Sequence, residues 1–438
     1  MNFKKELLDK IKSNSELVGI LGLGYVGLPL AVTFSRNGIN VLGFEKSDKK
    51  CDMVNTAENY IGDVKDQDLK EVVKRGLLKA TNDFSRIKEC DVLIICVPTP
   101  LDKFKKPDMS YIENSCIDIG RNMKKGVFIS LESTTYPTTT ENVMKPIIEK
   151  ESGMVCDKDF WLCFSPERVD PGNSLYKTEN TPKVLGGLGA DATEIGVALY
   201  NKVIKEIHPV SSPRAAEMVK ILENTYRLVN ISLINELALL AGRLDIDIWE
   251  VIDAAKTKPF GFQAFYPGPG IGGHCIPLDP FYLEYIAKKF RFDLTMINSA
   301  GCIDNIMPHR MSVKINFALN RKKKSVNGST ILFLGVAYKP DINDERESPV
   351  LKVMDEVARK LGNVMYHDPY IPEVTTEEGR SYTSVELNDD LIEQADCVVF
   401  ATNHSVFNIK DIVDKAKLVV DFRNATKGIQ APDKIFKL

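Results

Sequence analysis

Residues 17–45, LVGILGLGYVGLPLAVTFSRNGINVLGFE, decide the fold. LVGILGL is a short continuous apolar run ending in glycine, as suits a parallel strand covered on both faces. LPLAVTFSRNG follows with the spacing of a helix and closes at Gly38, and INVLGFE is a second apolar run. Strand, turn, helix and strand in so short a span make a βαβ unit. At its turn, Gly22, Gly24 and Gly27, with Leu23, Tyr25 and Val26 between them, fit G-x-G-x-x-G. The first glycine permits the tight turn, the second lets a pyrophosphate approach the backbone, and the third lets helix and strand pack closely. The helix start then offers N–H groups and the positive end of its dipole to phosphate. Glu45 closes the second strand, 23 residues after Gly22. A carboxylate there bonds the ribose hydroxyls of NAD and repels the 2′-phosphate of NADP. The stretch predicts a dinucleotide-binding domain with NAD as cofactor; Lys46, beside Glu45, leaves room for some NADP tolerance.

Further along, residues 91–97 (DVLIICV) and 127–131 (VFISL) add buried strands. From about 212 the character changes. SPRAAEMVKILENTYRLVNISLINELALLAGRL reads as one long helix, and PFGFQAFYPGPGIGGHCIPLDP at 259–280 interrupts the helical zone. An irregular segment of that length inside a compact domain is more often a binding loop than a connector. RKKKSVNG at 321–328 is polar and marks a linker. STILFLGVAY then opens a second α/β pattern, continued by VMYHDP, ADCVVFAT and KLVVDFRN. At 438 residues the chain exceeds what one core supports. The expected fold class is α/β: two Rossmann-like domains joined by a central helical domain with one long helix. The expected boundaries are 1–211 (NAD-binding), 212–320 (helical, with the cysteine loop) and 321–438.

Composition narrows the function. A net charge of −3 gives no general attraction to nucleic acid or to a membrane surface, so an anionic ligand has to be caught by local basic groups. The nine cysteines are irregularly spaced and form no C-x-x-C pair, which supports neither a disulfide framework nor a zinc knuckle; no metal site is expected. They read mostly as small buried apolar residues in a reducing cytoplasm. MNFKKELLDKIKS at the N-terminus reads as a charged amphipathic helix rather than a signal peptide, and no apolar stretch is long enough to span a bilayer.

Cys275 lies in Gly-Pro-Gly-Ile-Gly-Gly-His-Cys-Ile-Pro-Leu-Asp, residues 268–279. The glycines allow a ligand close to the backbone, and a thiolate there is a nucleophile. A lone cysteine is ordinarily a packed core residue, the reading that suits the other eight; the loop context sets Cys275 apart. His274 could orient the loop, cap backbone groups or move a proton. Lys220 and Asn224 fall four apart on the long helix, with Glu223 and Arg227 beside them. An ammonium and an amide aimed at one point can stabilise an oxyanion, though by itself such a pair is also what a solvated helix face looks like. Glu167 and Arg168, in FSPERVDPGN, follow a strand; Lys339 and Arg346 follow ILFLGVAY, and Arg423 follows KLVVDF. Basic groups at strand C-terminal ends suit phosphate recognition.

GLGYVGLPLA, CVPTPL, LESTTYP, FSPERVDPGN, AAEMVKILENTYR, PGPGIGGHCIPLDPFYL, AYKPDINDERESP and DFRN follow one another in the order of the UDP-glucose/GDP-mannose dehydrogenase family. The chain resembles that family over nearly its whole length, and within it the branch acting on 2-acetamido sugars. The resemblance implies four-electron oxidation of the C6 alcohol of a UDP-sugar, above all UDP-N-acetylglucosamine, through a thiohemiacetal and thioester on Cys275. UDP-N-acetylmannosamine, UDP-N-acetylgalactosamine and UDP-glucose are the alternative substrates. It implies that Lys220 and Asn224 steady oxyanions, that Asp279 or Glu167 directs the hydrolytic water, and that Thr134 holds a water near the nicotinamide. Tyr25, Val26, Glu45, Val97, Thr99 and Arg346 match cofactor contacts. Arg168, Val169, Arg227, Phe265, Tyr266, Gly268, Gly270, Tyr338, Lys339 and Arg423 match substrate contacts. It further implies a homodimer through the central helix.

Some positions depart from the family pattern. Pro171 stands where UDP-glucose dehydrogenases carry a second glutamate. Thr138 replaces the glycine of S-T-T-Y-P-G-T-T. Lys258-Pro259-Phe260 replaces the histidine-proline-arginine of the acetylmannosamine enzymes. Two rival readings stand beside this one: a two-electron alcohol or hydroxyacid dehydrogenase, which would make one NADH per substrate rather than two, and a non-catalytic UDP-sugar sensor, which would have no use for the thiol.

Overall fold

The computed structural model describes residues 2–102, 106–168, 175–273 and 275–438. The chain divides into two compact units, Met1–Glu223 with Phe281–Phe292 and Asn224–Pro280 with Asp293–Leu438.

The first unit is built on an eight-stranded sheet: β1 (Leu17–Leu21), β2 (Asn40–Phe44), β3 (Leu78–Thr81), β4 (Val92–Ile95), β5 (Val127–Leu131), β6 (Phe160–Phe164), β7 (Lys183–Gly187) and β8 (Ile207–Val210). The spatial order is 3-2-1-4-5-6-7-8. β1 to β6 run parallel, β7 turns antiparallel to β6, and β8 returns parallel to β7. The first six strands have the doubly wound dinucleotide order, whose ligand crevice opens at the carboxyl ends of β1 and β4, where the strand order reverses. β4, β5 and β6 are buried along their whole length, because one apolar cluster covers each face of the sheet. That double cover is why these strands read as unbroken apolar runs.

After β5 the chain turns and enters a π-helical turn, Thr140–Met144, that runs on into the helix Lys145–Ser152. Thr138, in the turn, holds φ +87°. Glycine takes such a conformation at no steric cost, whereas a β-branched residue is strained there. The threonine in place of the family's glycine is therefore a cost carried by this chain.

The helix Pro213–Ala241 is 29 residues long, as the uninterrupted helical spacing predicts. In the second unit, β9 (Thr330–Leu334), β10 (Asn363–His367), β13 (Cys397–Phe400), β14 (Val419–Asp421) and β15 (Ile435–Lys437) form a wholly parallel sheet in the order 10-9-13-14-15. β11 (Glu373–Thr375) and β12 (Ser381–Thr383) pair apart from it as an antiparallel hairpin. Numbered within the sheet, the order is 2-1-3-4-5, the other doubly wound arrangement, which reverses between β9 and β13. The helix Thr295–Arg321 packs Met307, Met311, Ile315 and Leu319 into one core with Ile331 and Phe333 of β9. The expected α/β class with two Rossmann-like sheets and one long helix is therefore what the chain forms. One detail differs: Cys302, expected in the core, is exposed, while Cys51, Cys90, Cys96, Cys116, Cys156, Cys163 and Cys397 are buried. Among the described residues no helix is long and apolar enough to cross a membrane.

Thr138→Gly should relieve the strained dihedral. Strain of this kind is worth about 1–2 kcal/mol, partly offset by the greater freedom glycine brings to the unfolded chain. A thermal melt should show the transition of the first unit raised by about 1–3 °C; a lowered midpoint would show that the threonine side chain contributes more than its backbone costs.

Candidate active site

The glycine turn of the first unit separates three roles. A Cβ on Gly27 would lie 1.9 Å from the Gly22 carbonyl oxygen, so the helix Gly27–Arg36 can sit this close to β1 only without one. Gly22 holds φ +90° and passes the Cys96 carbonyl so closely that a Cβ would meet its oxygen at 2.7 Å. Gly24 has nothing within 4 Å of where its Cβ would stand. That opening is the cradle a pyrophosphate needs, at the start of a ten-residue helix. Glu45 leans over the turn: its Oε2 accepts from Leu23 N–H and its Oε1 from Ser47 N–H, each at 3.2 Å. Tyr25 is exposed, and Val26 caps the helix. Beyond β4, the Val97 carbonyl accepts from Ser133 Oγ at 2.8 Å, and the carbonyl of buried Thr99 accepts from Tyr282 Oη at 2.5 Å. Thr134, half-buried, follows Ser133. These residues fit an NAD.

The same unit carries Lys220 and Glu167. Lys220, nearly buried, donates from Nζ to the Glu167 carbonyl at 2.7 Å. Arg168 reaches Glu223 rather than its neighbour: Nη2 donates to Glu223 Oε1 at 2.6 Å and Nη1 to the Pro182 carbonyl at 2.7 Å. Beneath them lies a group the sequence reading missed. Lys183 Nζ donates to Glu132 Oε2 at 2.5 Å and to the Pro166 carbonyl at 3.4 Å, and Tyr200 Oη donates to Glu132 Oε1 at 2.5 Å. All three side chains are buried. Burial pulls the Lys183 ammonium down, but the Glu132 and Glu167 carboxylates together outweigh it and hold the ammonium above its usual range. Removing either partner would strand a charge in the core. The pair ties the exit of β5, which leads to Thr134, to the exit of β6, which leads to Glu167. The signal was available as charged residues at the ends of two apolar strands, Glu132 after FISL and Lys183 before VLGG.

The second unit gathers the cysteine loop and the basic residues. Cys275 is exposed. Its carbonyl accepts from Asp279 N–H at 2.9 Å, closing a turn into the helix Asp279–Lys289. Asp279 Oδ2 accepts from Asn224 Nδ2 at 2.6 Å, with both side chains buried. Upstream, Gly273 N–H donates to the Arg346 carbonyl at 2.9 Å, and a Cβ on Gly272 or Gly273 would strike Tyr338. Gly270 is pressed against Pro349, and Gly268 against Arg423, whose guanidinium a Cβ would meet at 2.4 Å. Arg423 Nε donates to the Ala401 carbonyl at 3.1 Å, just past β13. Burial pulls its guanidinium down to about 10, still charged at neutral pH. Arg346 is bidentate on Asp344, Nη2 to Oδ2 at 2.7 Å and Nε to Oδ1 at 2.9 Å. Phe265 sets its ring edge on Tyr226, and Tyr266 stacks on Trp249. Arg227 is exposed and Lys339 half-buried. Val169 and His274 lie outside the described residues. The buried thiols contrast with Cys275, since burial pushes Cys90 and Cys163 up to about 12 and so keeps them protonated.

Two doubly wound sheets, a glycine cradle with a carboxylate over it and a glycine-walled cysteine loop define a dinucleotide-dependent oxidoreductase. Three family models match consecutive stretches of the chain: the UDP-glucose/GDP-mannose dehydrogenase NAD binding domain at residues 16–204, the central domain at 214–305 and the UDP binding domain at 332–428. The chain belongs to the UDP-glucose/GDP-mannose dehydrogenase family. It is 34% identical over 416 residues to the UDP-N-acetyl-D-mannosamine dehydrogenase of Pyrococcus horikoshii, covering 94% of this chain and 96% of that protein. It is 32% identical over 401 residues to the UDP-N-acetyl-D-glucosamine 6-dehydrogenase of Salmonella typhi, covering 91% of each. The solved structure of the Pyrococcus horikoshii UDP-D-ManNAc dehydrogenase superposes with a TM-score of 0.87 at 32% identity, over 96% of this chain and 98% of that one. The protein is an NAD-dependent oxidoreductase, a UDP-sugar 6-dehydrogenase.

Gly27 and Gly24 should fail differently. Gly27→Ala forces the helix off β1 and should destabilise the first unit by about 2–3 kcal/mol or more, read by denaturant unfolding. Gly24→Ala should leave the unfolding midpoint in place and weaken NAD at least tenfold in a fluorescence titration. Equal NAD affinity in Gly24→Ala and the parent would remove the pyrophosphate from this turn.

Proposed function

We propose that the substrate is a UDP-2-acetamido sugar, UDP-N-acetylglucosamine in the first place, oxidised at C6 to the uronate with release of four electrons through a covalent link to Cys275. The observation that carries this is the exposed Cys275 thiol, on a turn fixed by the buried Asn224–Asp279 bond, in the same unit as Tyr338, Lys339 and Arg423. NAD, when bound, accepts the hydride in each oxidation.

Gly22, Gly24, Gly27 and Glu45 hold the cofactor, with Tyr25, Val26, Val97, Thr99, Thr134 and Arg346 as further contacts. Arg168, Val169, Arg227, the loop Phe265–Gly270, Tyr338, Lys339 and Arg423 hold the UDP-sugar. Cys275 adds to the C6 aldehyde as a thiohemiacetal, and a second oxidation turns this into a thioester that water cleaves. The tether has a purpose: a free aldehyde would hydrate or leave during cofactor exchange. Lys220 and Asn224 steady the oxyanions, Asp279 or Glu167 directs the water, and Thr134 holds a water near the nicotinamide. The domain boundaries at residues 211 and 320 belong to this reading, as does a place in the cytoplasm, whose reducing pool keeps an exposed thiol reduced.

Lys258-Pro259-Phe260, in place of histidine-proline-arginine, favours N-acetylglucosamine over N-acetylmannosamine. The acetylmannosamine alternative draws on the 34% relative. Tyr226, Leu233, Leu237 and Leu240 expose 42–52% of their surface along one helix. A second copy of this chain covers that stripe in the proposed homodimer.

Steady-state NADH production against a panel of UDP-N-acetylglucosamine, UDP-N-acetylmannosamine, UDP-N-acetylgalactosamine and UDP-glucose should give the highest kcat/KM with the first, at two NADH per sugar. A higher value with another sugar moves the assignment to it, and one NADH per sugar makes the protein a two-electron dehydrogenase. Cys275→Ser should retain the first oxidation but block turnover; normal carboxylate production by that variant would dismiss the tether. Lys220→Ala should cost about 10²–10³ in turnover, the loss typical of one oxyanion donor. Light scattering should report a dimer for the parent and a monomer for Leu237→Arg with Leu240→Arg; an unchanged mass would place the interface elsewhere.

A further inference from the structure

We propose that Glu217 is a positioning residue for the Lys220 ammonium, anchoring the first turns of the helix Pro213–Ala241 to the Thr138–Thr140 turn. The inference rests on the reading of Lys220 as the group that steadies oxyanions. Glu217 is wholly buried. Its Oε2 accepts from Thr138 N–H at 2.5 Å, and its Oε1 accepts from Thr140 N–H at 2.9 Å and from Thr140 Oγ1 at 2.8 Å. All three donors belong to the turn that leads from β5 into the π-helical segment Thr140–Met144. A carboxylate at the start of a helical segment, with three donors aimed at it, is a strong and directional anchor.

The consequence lies one turn further along. Lys220 follows Glu217 by three residues, so the two share a helix face. Lys220 Nζ reaches the Glu167 carbonyl at 2.7 Å. The helix is therefore tied at Glu217 to the exit of β5 and at Lys220 to the exit of β6. A lysine side chain has four rotatable bonds, so its ammonium can be held to within a fraction of an ångström only if its own backbone does not slide. Displacement of about 1 Å can cost a factor of 100 in rate.

Two features argue that the anchor serves geometry more than stability. A buried carboxylate adds little to folding compared with a well-packed apolar residue of its size. Burial also pushes the Glu217 carboxyl up despite its three hydrogen bonds. Of the two cations three residues away, Arg214 is turned to Glu141 and Lys220 to the Glu167 carbonyl. The turn, moreover, is itself strained at Thr138, and strain persists only where neighbours over-determine it. The bond from Thr138 N–H to Glu217 is such a constraint.

The test is a double-mutant cycle on the full chain with NAD and UDP-N-acetylglucosamine, comparing Glu217→Ala, Lys220→Ala and the double variant. Glu217→Ala should lower kcat about 10- to 100-fold, with KM for the sugar within threefold and NAD affinity within twofold of the parent. The double variant should be no slower than Lys220→Ala alone, because a residue acting through another adds nothing once that other is gone. Thr140→Val, which deletes one donor, should lose about two- to fivefold, and Glu217→Gln should fall between the parent and Glu217→Ala. If Glu217→Ala is recovered unfolded, these two milder variants carry the test, and parental kcat in both overturns the inference. A Glu217→Ala kcat within twofold of the parent, beside a crippled Lys220→Ala, overturns it alone, as does full additivity in the cycle. Undiminished turnover in Lys220→Ala would remove the reading of Lys220 itself.

Discussion

A buried hydrogen bond from Asn224 Nδ2 to Asp279 Oδ2, 2.6 Å long, is the constraint on which the chemistry of the second unit depends. Asp279 opens a helix and closes a turn by donating its N–H to the Cys275 carbonyl. The thiol therefore stands on a peptide that cannot swing without breaking a bond between two buried polar groups. Breaking it takes the partner from a buried amide donor, a loss of about 1–3 kcal/mol. Asn224 makes this bond from the long helix, so the amide proposed to steady oxyanions also orients the segment that bears the proposed nucleophile.

The first unit handles charge in the opposite manner. Its sheet is apolar on both faces, yet Glu132, Lys183 and Tyr200 bury an ion pair and a phenol under the exits of β5 and β6. Such a pair contributes little to stability and much to registry. It fixes two loops relative to each other at the edge of the crevice, one leading to Thr134 and the other to Glu167. The glycine turn uses no charge at all. There the constraint is steric, a helix so close to a strand that Gly27 has no room for a methyl group.

Much of this was legible in the sequence, because the relevant signals are local. Gly22, Gly24 and Gly27 with Glu45 announce the βαβ unit within thirty residues, and apolar runs at 91–97 and 127–131 mark strands buried on both faces. Other elements left no such signal. The antiparallel β7, β3 and the hairpin of β11 and β12 are mixed in composition, so their pairing depends on tertiary neighbours. The order of the second sheet is a matter of crossover handedness and not of composition. The Arg168 side chain reaches Glu223, 55 residues away, a pairing that no local pattern announces. Lys183 and Glu217 looked like ordinary polar positions because what distinguishes them is burial. Thr138 was visible as a departure from the family pattern, but its cost became apparent only with a positive φ.

The central claim is that the half-oxidised sugar is held on one particular sulfur, and the chain supplies an internal control. Cys302 is the other exposed thiol, on the helix Thr295–Arg321, with none of the glycine walls of the Cys275 loop. Rapid acid quench during turnover with NAD and UDP-N-acetylglucosamine, followed by peptide mass spectrometry, tests the claim directly. The account predicts an adduct of UDP-sugar mass on the peptide carrying Cys275 and none on the peptide carrying Cys302. Turnover without any adduct on Cys275, or an adduct on Cys302 instead, would contradict it.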